Sequence, residues 1–239
     1  MTNLIAKEDS KSPITEAYRM IRTSIQFSNE GKTLKSIVFT SAGANEGKST
    51  VIANLAVVMA QGGHKVVLLD CDLRNPSLHN VFNLQNKGLS NCVMAGENTA
   101  DVVQSSDVED LDVLTSGPIA CYPSELLGSK RMQDVLNELS EKYDYVLIDT
   151  PPVLAFTDAA VIAGKTDAVV LLMEYGKVKP ALAKEAKQVL EHTRSNIIGV
   201  ILNKVEVGNT PESLGYYNLC GQSYGSAGTS QQLLQEEAK

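Results

Sequence analysis

Residues 36–50 read Ser36-Ile37-Val38-Phe39-Thr40-Ser41-Ala42-Gly43-Ala44-Asn45-Glu46-Gly47-Lys48-Ser49-Thr50, and this stretch decides the fold. An apolar run turns through small residues into a lysine and two hydroxyl residues, after which a helical pattern begins. Such a strand, turn and helix aim several backbone N–H groups and the positive end of the helix dipole at one point, where Lys48 adds a full charge. That point suits a polyphosphate. The spelling follows G-x-x-x-x-G-K-[ST] except at its first position, where Ala42 stands in place of glycine.

Two more apolar runs end in carboxylates: Lys65-Val66-Val67-Leu68-Leu69-Asp70-Cys71-Asp72 and Tyr145-Val146-Leu147-Ile148-Asp149-Thr150-Pro151-Pro152. In a parallel sheet these ends share the carboxyl edge with the phosphate loop, where open α/β folds bind ligands. Three acids beside a triphosphate imply Mg²⁺.

The surrounding pattern supports such a sheet. Ser12-Pro13 starts a helix running to about residue 28, with a capping hydroxyl and proline in the first turn. Residues 51–61 form an Ala-rich helix closed by Gly62-Gly63. Residues 73–110 are less regular, with short helical pieces around Asn80 and over 89–95. Strands follow at 111–114, 145–149, 167–173 and 196–202, the last three read as buried, with helices at 130–142, 158–164 and 179–193. A loop carries Gly117, Pro118 and Pro123. Apolar strands alternating with helices predict an α/β fold whose mostly parallel central sheet is covered on both faces. The expected organisation is an N-terminal tail and helix over 1–34, a core over 35–205 and a flexible C-terminal tail over 206–239.

Composition narrows the function. A chain of 239 residues, 43% hydrophobic, can bury the core of one such domain. The net charge of −7 argues against nucleic acid as the main partner. Cys71, Cys92, Cys121 and Cys220 lack C-x-x-C spacing and the three histidines are scattered, so neither a zinc site nor a disulfide framework is expected. Residues 1–11 are polar with no signal-like core, and no apolar run approaches the ~20 residues of a membrane span, so a soluble chain is expected.

Two features remain. Glu16, Arg19 and Arg22 recur every third residue along the first helix, and spacing alone favours a solvated charged ridge. From Glu206 onward the chain is rich in Gly, Ser, Asn and Gln, yet it holds Tyr216, Tyr217 and Tyr224, three of eight tyrosines within nine residues. Tyrosines are normally half-buried in packed domains, so this cluster asks for another use.

Together the Glu16-x-x-Arg19-x-x-Arg22 helix, the phosphate loop, the Asp70-x-Asp72-x-Arg74 strand end, the Asp149-Thr150-Pro151-Pro152 strand end, Asp158 downstream and the tyrosine tail resemble the bacterial tyrosine kinases (BY-kinases). The likeness is to the cytoplasmic subunit that accompanies capsule and exopolysaccharide export in Gram-positive bacteria. It implies a P-loop NTPase fold of the ParA and MinD type, ATP and Mg²⁺ as ligands, and autophosphorylation of Tyr216, Tyr217 and Tyr224. It also implies a homo-oligomeric ring, such as an octamer, packed through Glu16, Arg19 and Arg22, which reverses the solvated reading of that ridge. Implied partners are a membrane-embedded polysaccharide co-polymerase that activates the kinase, protein tyrosine substrates and a cognate tyrosine phosphatase. The implied location is cytoplasmic, at the inner face of the membrane. The family usually spells its loop Pro-Gly-Glu-Gly-Lys, whereas this chain has Ala44-Asn45-Glu46-Gly47-Lys48, so Asn45 must adopt dihedrals a glycine usually supplies, which Asn tolerates well.

On this reading Lys48 bridges the β and γ phosphates while backbone N–H groups of Gly43, Ala44, Asn45, Glu46, Gly47 and Ser49 cradle them, and Thr50 touches the α-phosphate. Ser49, Asp72 and Asp149 hold Mg²⁺, the aspartates directly or through water. Asp70 is the base for the attacking phenol, a role it could exchange with Asp72, and Asn203 reads the adenine edge. The rival is a ParA or MinD type ATPase switch, which carries an extra lysine five residues before the loop lysine. That position is Gly43 here.

Overall fold

The computed structural model describes residues 4–28 and 34–205. The strands are β1 (Ser36–Ser41), β2 (Val66–Asp70), β3 (Gln104–Ser105), β4 (Leu111–Leu114), β5 (Tyr145–Asp149), β6 (Ala168–Glu174) and β7 (Ile197–Asn203). The helices are α1 (Ile5–Glu8), α2 (Pro13–Phe27), α3 (Lys48–Gln61), α4 (Leu78–Val81), α5 (Leu89–Met94), α6 (Thr99–Val102), α7 (Pro123–Gly128), α8 (Lys130–Lys142), α9 (Asp158–Ala163) and α10 (Pro180–His192). The strands form one sheet in the order β3-β4-β2-β5-β1-β6-β7, parallel throughout except for β3 against β4.

Alternate residues of the central strands feed two cores. Val38, Val146, Ile148 and Val169 face one side, packed with Met132, Val135 and Leu139 of α8 and Leu190 of α10. Ile37, Phe39, Leu147 and Val170 face the other, against α3 and α2. This is the period-two signature of a sheet covered on both faces. Helix α3 is buried along its length from Val51 to Ala60, because it lies beneath both the sheet and α2.

Three expectations need correction. The polar start of the chain is not a tail from Leu4 onward: Leu4 and Ala6 are buried, Ala6 N–H donates to Asn54 Oδ1 at 2.9 Å, and Gln61 donates to the Ala6 carbonyl at 3.1 Å. The last strand is not a buried one, since β7 is a sheet edge with Val200 and Leu202 more than half exposed. The loop before α8 contains α7, started by Pro123 in its first turn, a position that suits proline because the first helical N–H groups need no partner. The tyrosines Tyr216, Tyr217 and Tyr224 lie outside the described residues.

The order reverses at β1: the chain leaves it through α3 to β2 on one side, while β6 and β7 lie on the other. A ligand crevice belongs at the carboxyl end of such a switch point. Register places Asp149 beside both Phe39 and Asp70 there.

Candidate active site

The phosphate loop links Ser41 to α3. Asn45 has φ of 62° and Gly47 of 91°, so two left-handed residues turn the chain tightly enough to aim its N–H groups inward. Asn45 thus takes the conformation expected of it. Gly47 also admits no side chain, because a Cβ would meet Asn203 Nδ2 at 2.4 Å.

The loop is braced from behind by the ends of β6 and β7. Asn203 Nδ2 donates to the Glu46 carbonyl at 2.9 Å, and Lys204 Nζ donates to the Asn45 carbonyl at 3.1 Å and to Glu174 Oε2 at 2.9 Å. The Glu46 side chain is buried; it accepts from the Gly43 N–H and, at 3.3 Å, from the Glu174 N–H. Asn203 thus braces the loop's backbone through its amide nitrogen. The Glu46 carboxylate holds the Gly43 N–H. A lysine at 43, which the switch-type ATPases need, would crowd Glu46, since even a Cβ there lies 3.0 Å from its Oε1.

A cavity of about 480 Å³ opens over the loop, lined by residues 44, 45 and 47–50, by Asp72, Arg74, Asn75 and Ser77, and by Pro151, Pro152, Ala155 and Phe156. Its size is right for a nucleotide-scale ligand. Lys48 is buried at its floor with Nζ 3.1 Å from Ser41 Oγ, and Ser49 Oγ donates to Asp149 Oδ2 at 2.5 Å.

The three strand-end acids differ. Asp149 is buried, its Oδ1 has no partner, and burial lifts its pKa to about 7 against the opposing pull of the Ser49 hydroxyl and Lys48. Asp70 is fully buried and outside the cavity lining; it accepts N–H bonds from Asp72, Ser77 and Leu78. Burial, then Asp149, push its pKa well up. Asp72 lines the cavity, with a pKa raised by burial and opposed by the Asn75 N–H and Lys48. Asp72 thus lies in the cavity lining, and Asp70 lies directly behind it, joined to it by the Asp72 N–H.

The residues present suit a hard divalent cation. The partnerless Oδ1 of Asp149, the Ser49 hydroxyl and the Asp72 carboxylate are oxygen donors of the kind Mg²⁺ prefers. Among the described residues no group of three His, Cys, Asp or Glu side chains is placed to hold a metal ion by itself.

Three residues at the site had no signal of their own in the sequence: Glu174 and Lys204 brace the loop, and Phe156 walls the cavity beside the motif residue Arg74. Arg74 pairs with buried Asp158 through Nε at 2.8 Å and a terminal nitrogen at 3.0 Å, and its guanidinium carbon lies 4.2 Å from the Phe156 ring centre.

On helix α2, capped by Ser12, Arg19 bonds Glu16 Oε2 at 2.9 Å and the Ser10 carbonyl at 2.8 Å. Arg22, half-buried, donates to the Val58 carbonyl at 2.9 Å and so ties α2 to α3.

Comparison with known proteins agrees with this geometry. A family model described as an AAA domain matches residues 34–200. Tyrosine-protein kinase YwqD of Bacillus subtilis is 44% identical over 216 residues, 90% of this chain and 91% of that protein. Putative tyrosine-protein kinase CapB of Staphylococcus aureus is 38% identical over 215 residues, covering 90% and 94%. The crystal structure of the chimerical protein CapA2B2 superposes with a TM-score of 0.81 at 41% identity, over 84% of this chain and 89% of that one. The septum site-determining protein MinD from Pyrococcus horikoshii, complexed with Mg-ADP, reaches 0.62 at 24% identity over 76% of each chain, which shows the shared P-loop ATPase fold.

Proposed function

The chain belongs to the bacterial tyrosine-protein kinase family, and we propose that it transfers the γ-phosphoryl group of ATP to tyrosines of its own C-terminal cluster, Tyr216, Tyr217 and Tyr224. The observation that carries this reading is the cavity itself: a phosphate loop with buried Lys48 shares its lining with the strand-end carboxylate Asp72, and Asp70 lies directly behind.

Phosphoryl transfer asks a protein for positioning and charge stabilisation, because the transition state spreads charge over the γ-phosphoryl oxygens. Lys48 supplies the buried positive charge, and the N–H groups of residues 44–49 hold the chain of phosphates. Mg²⁺, held by Ser49, Asp72 and Asp149 when bound, would supply further charge neutralisation. Asp70, or Asp72 in exchange with it, takes up the phenolic proton; with a phenol pKa near 10, only partial withdrawal is needed as a loose transition state develops. The Asp72 N–H donates to Asp70 Oδ1 at 3.1 Å, so one strand-end turn sets both carboxylates.

In this reading residues 35–205 are the catalytic core and 206–239 the substrate segment, passed between copies in a ring built through α2. Capsular or exopolysaccharide synthesis and export is the process served, with a membrane-embedded co-polymerase as activator, further protein tyrosines as substrates and a phosphatase that resets the tail. No helix among the described residues is long and apolar enough to cross a membrane, which fits docking on such a partner at the inner face.

The test mixes a full-length Lys48→Met chain with an active chain lacking residues after 208. Phosphate appearing on Tyr216, Tyr217 and Tyr224 of the inactive chain, read by mass spectrometry with ATP and Mg²⁺, is the expected result. An inactive chain that stays unmodified rules out transfer between molecules.

A further inference from the structure

The cavity has two unlike walls. One is the phosphate loop with Lys48 and Ser49; the other is Pro151, Pro152, Ala155 and Phe156, with Arg74 beside them. In-line transfer brings the acceptor oxygen to the γ-phosphoryl from the side opposite the β-phosphate. If phosphates seat on the loop, the lining left for an acceptor includes Arg74 and Phe156.

Resting on the kinase reading above, we infer that the Arg74–Phe156 stack is the platform for the acceptor tyrosine ring, and that these two residues set the preference for a phenol over an aliphatic hydroxyl. The guanidinium is held in one plane by its two bonds to Asp158, which is itself fully buried and accepts a 2.5 Å bond from Ser124. The stack on Phe156 at 4.2 Å is therefore set before any ligand arrives. The Arg74 side chain stays 34% exposed and Phe156 as a residue 38%, which leaves surface to contact a ring. Cation and aromatic faces both favour a flat π-system, and neither offers anything comparable to serine.

The platform is also fixed relative to the phosphates. Thr40 Oγ1 donates to the Pro151 carbonyl at 2.9 Å, and the Val153 N–H donates to the Ser41 carbonyl at 2.9 Å. The apolar wall and the phosphate loop thus hang from the same strand end. A phenol lying on the wall meets the γ-phosphoryl at a distance the fold sets, whereas a shorter side chain does not reach.

The test uses the full chain, ATP with Mg²⁺, and a synthetic peptide copying residues 212–228, with a second peptide carrying serine at all three tyrosine positions. Phe156→Ala should raise the KM for the tyrosine peptide about tenfold while leaving ATP affinity within about twofold, and Phe156→Trp should restore it. Arg74→Lys should also weaken the peptide, since lysine lacks the planar fork. Circular dichroism confirms that the variants fold, and the Trp variant keeps the test decisive if Ala does not. An unchanged peptide KM in Phe156→Ala, or a loss of ATP affinity instead, overturns the platform and leaves the kinase reading intact. Absence of transfer to the tyrosine peptide by the parent chain overturns both.

Discussion

Lys204 Nζ lies 3.1 Å from the carbonyl oxygen of Asn45, joining the residue that follows the last described strand to the one residue of the phosphate loop that adopts a glycine-like φ without being glycine. A left-handed non-glycine residue costs about 1 kcal/mol, and a hydrogen bond to a charged group offsets a similar amount. Lys204→Met should therefore weaken ATP binding about three- to tenfold. Adding Asn45→Gly should recover most of that loss. Nucleotide titration by fluorescence decides it, and equal affinity in the parent and Lys204→Met means that the brace has no influence on the loop.

Lys48→Met should give a folded chain without tyrosine phosphorylation, since it removes the charge at the cavity floor. Asp149→Ala should act the same way by removing the buried oxygen that has no partner of its own. Phosphotyrosine immunoblots beside thermal unfolding curves check both, and retained phosphorylation in either variant refutes this site.

Asp149 gives a pH signature whose sign is fixed. Burial lifts its pKa from 3.8 to about 7, so the ligand-free fold binds a proton that the unfolded chain releases. The corresponding stability is fully present below the unfolded value and is lost as pH rises through about 7. Asp149→Asn should flatten that slope in denaturant titrations. Binding of the metal and nucleotide needs the carboxylate ionised, so affinity should rise with pH through the same region and release a proton. Calorimetry in two buffers of different ionisation enthalpy measures that proton; finding none released shows that Asp149 is already ionised.

The α2 residues should separate into two roles. Glu16→Ala with Arg19→Ala should shrink any oligomer without altering stability, because their pairing is a partly exposed one on a single helix. Arg22→Ala should instead destabilise the chain by about 1 kcal/mol, having lost its bond to the Val58 carbonyl. Light scattering and urea titration distinguish these outcomes. A smaller oligomer only with Arg22→Ala would reverse the assignment.

Long apolar runs made much of the fold legible. Leu111–Leu114, Tyr145–Asp149 and Lys130–Lys142 have the expected bounds, since each run is bordered by polar or turn residues that fix its ends. The short helices α1, α6 and α7 were not expected, whereas α4, α5 and α9 of the same length were, because four to six residues are too few for period alone to decide. At the site, the phosphate loop and the strand-end acids were readable as contiguous motifs. Glu174, Lys204 and Phe156 were not: each acts on a partner far away in the chain, and nothing local distinguishes a bracing lysine from a solvated one. That Asp72 lines the cavity while Asp70 lies behind it likewise depends on burial, which near neighbours in one strand end do not reveal.

Helix α3 spans Lys48–Gln61, about 21 Å at 1.5 Å per residue. Its first turn carries Lys48 and Ser49 of the proposed phosphate seat, and near its last turn the Val58 carbonyl accepts a bond from Arg22 of α2. Buried from Val51 to Ala60, the helix is one continuous packed element from the cavity to α2, so the periphery and the site are joined through a single rigid body and not through loops.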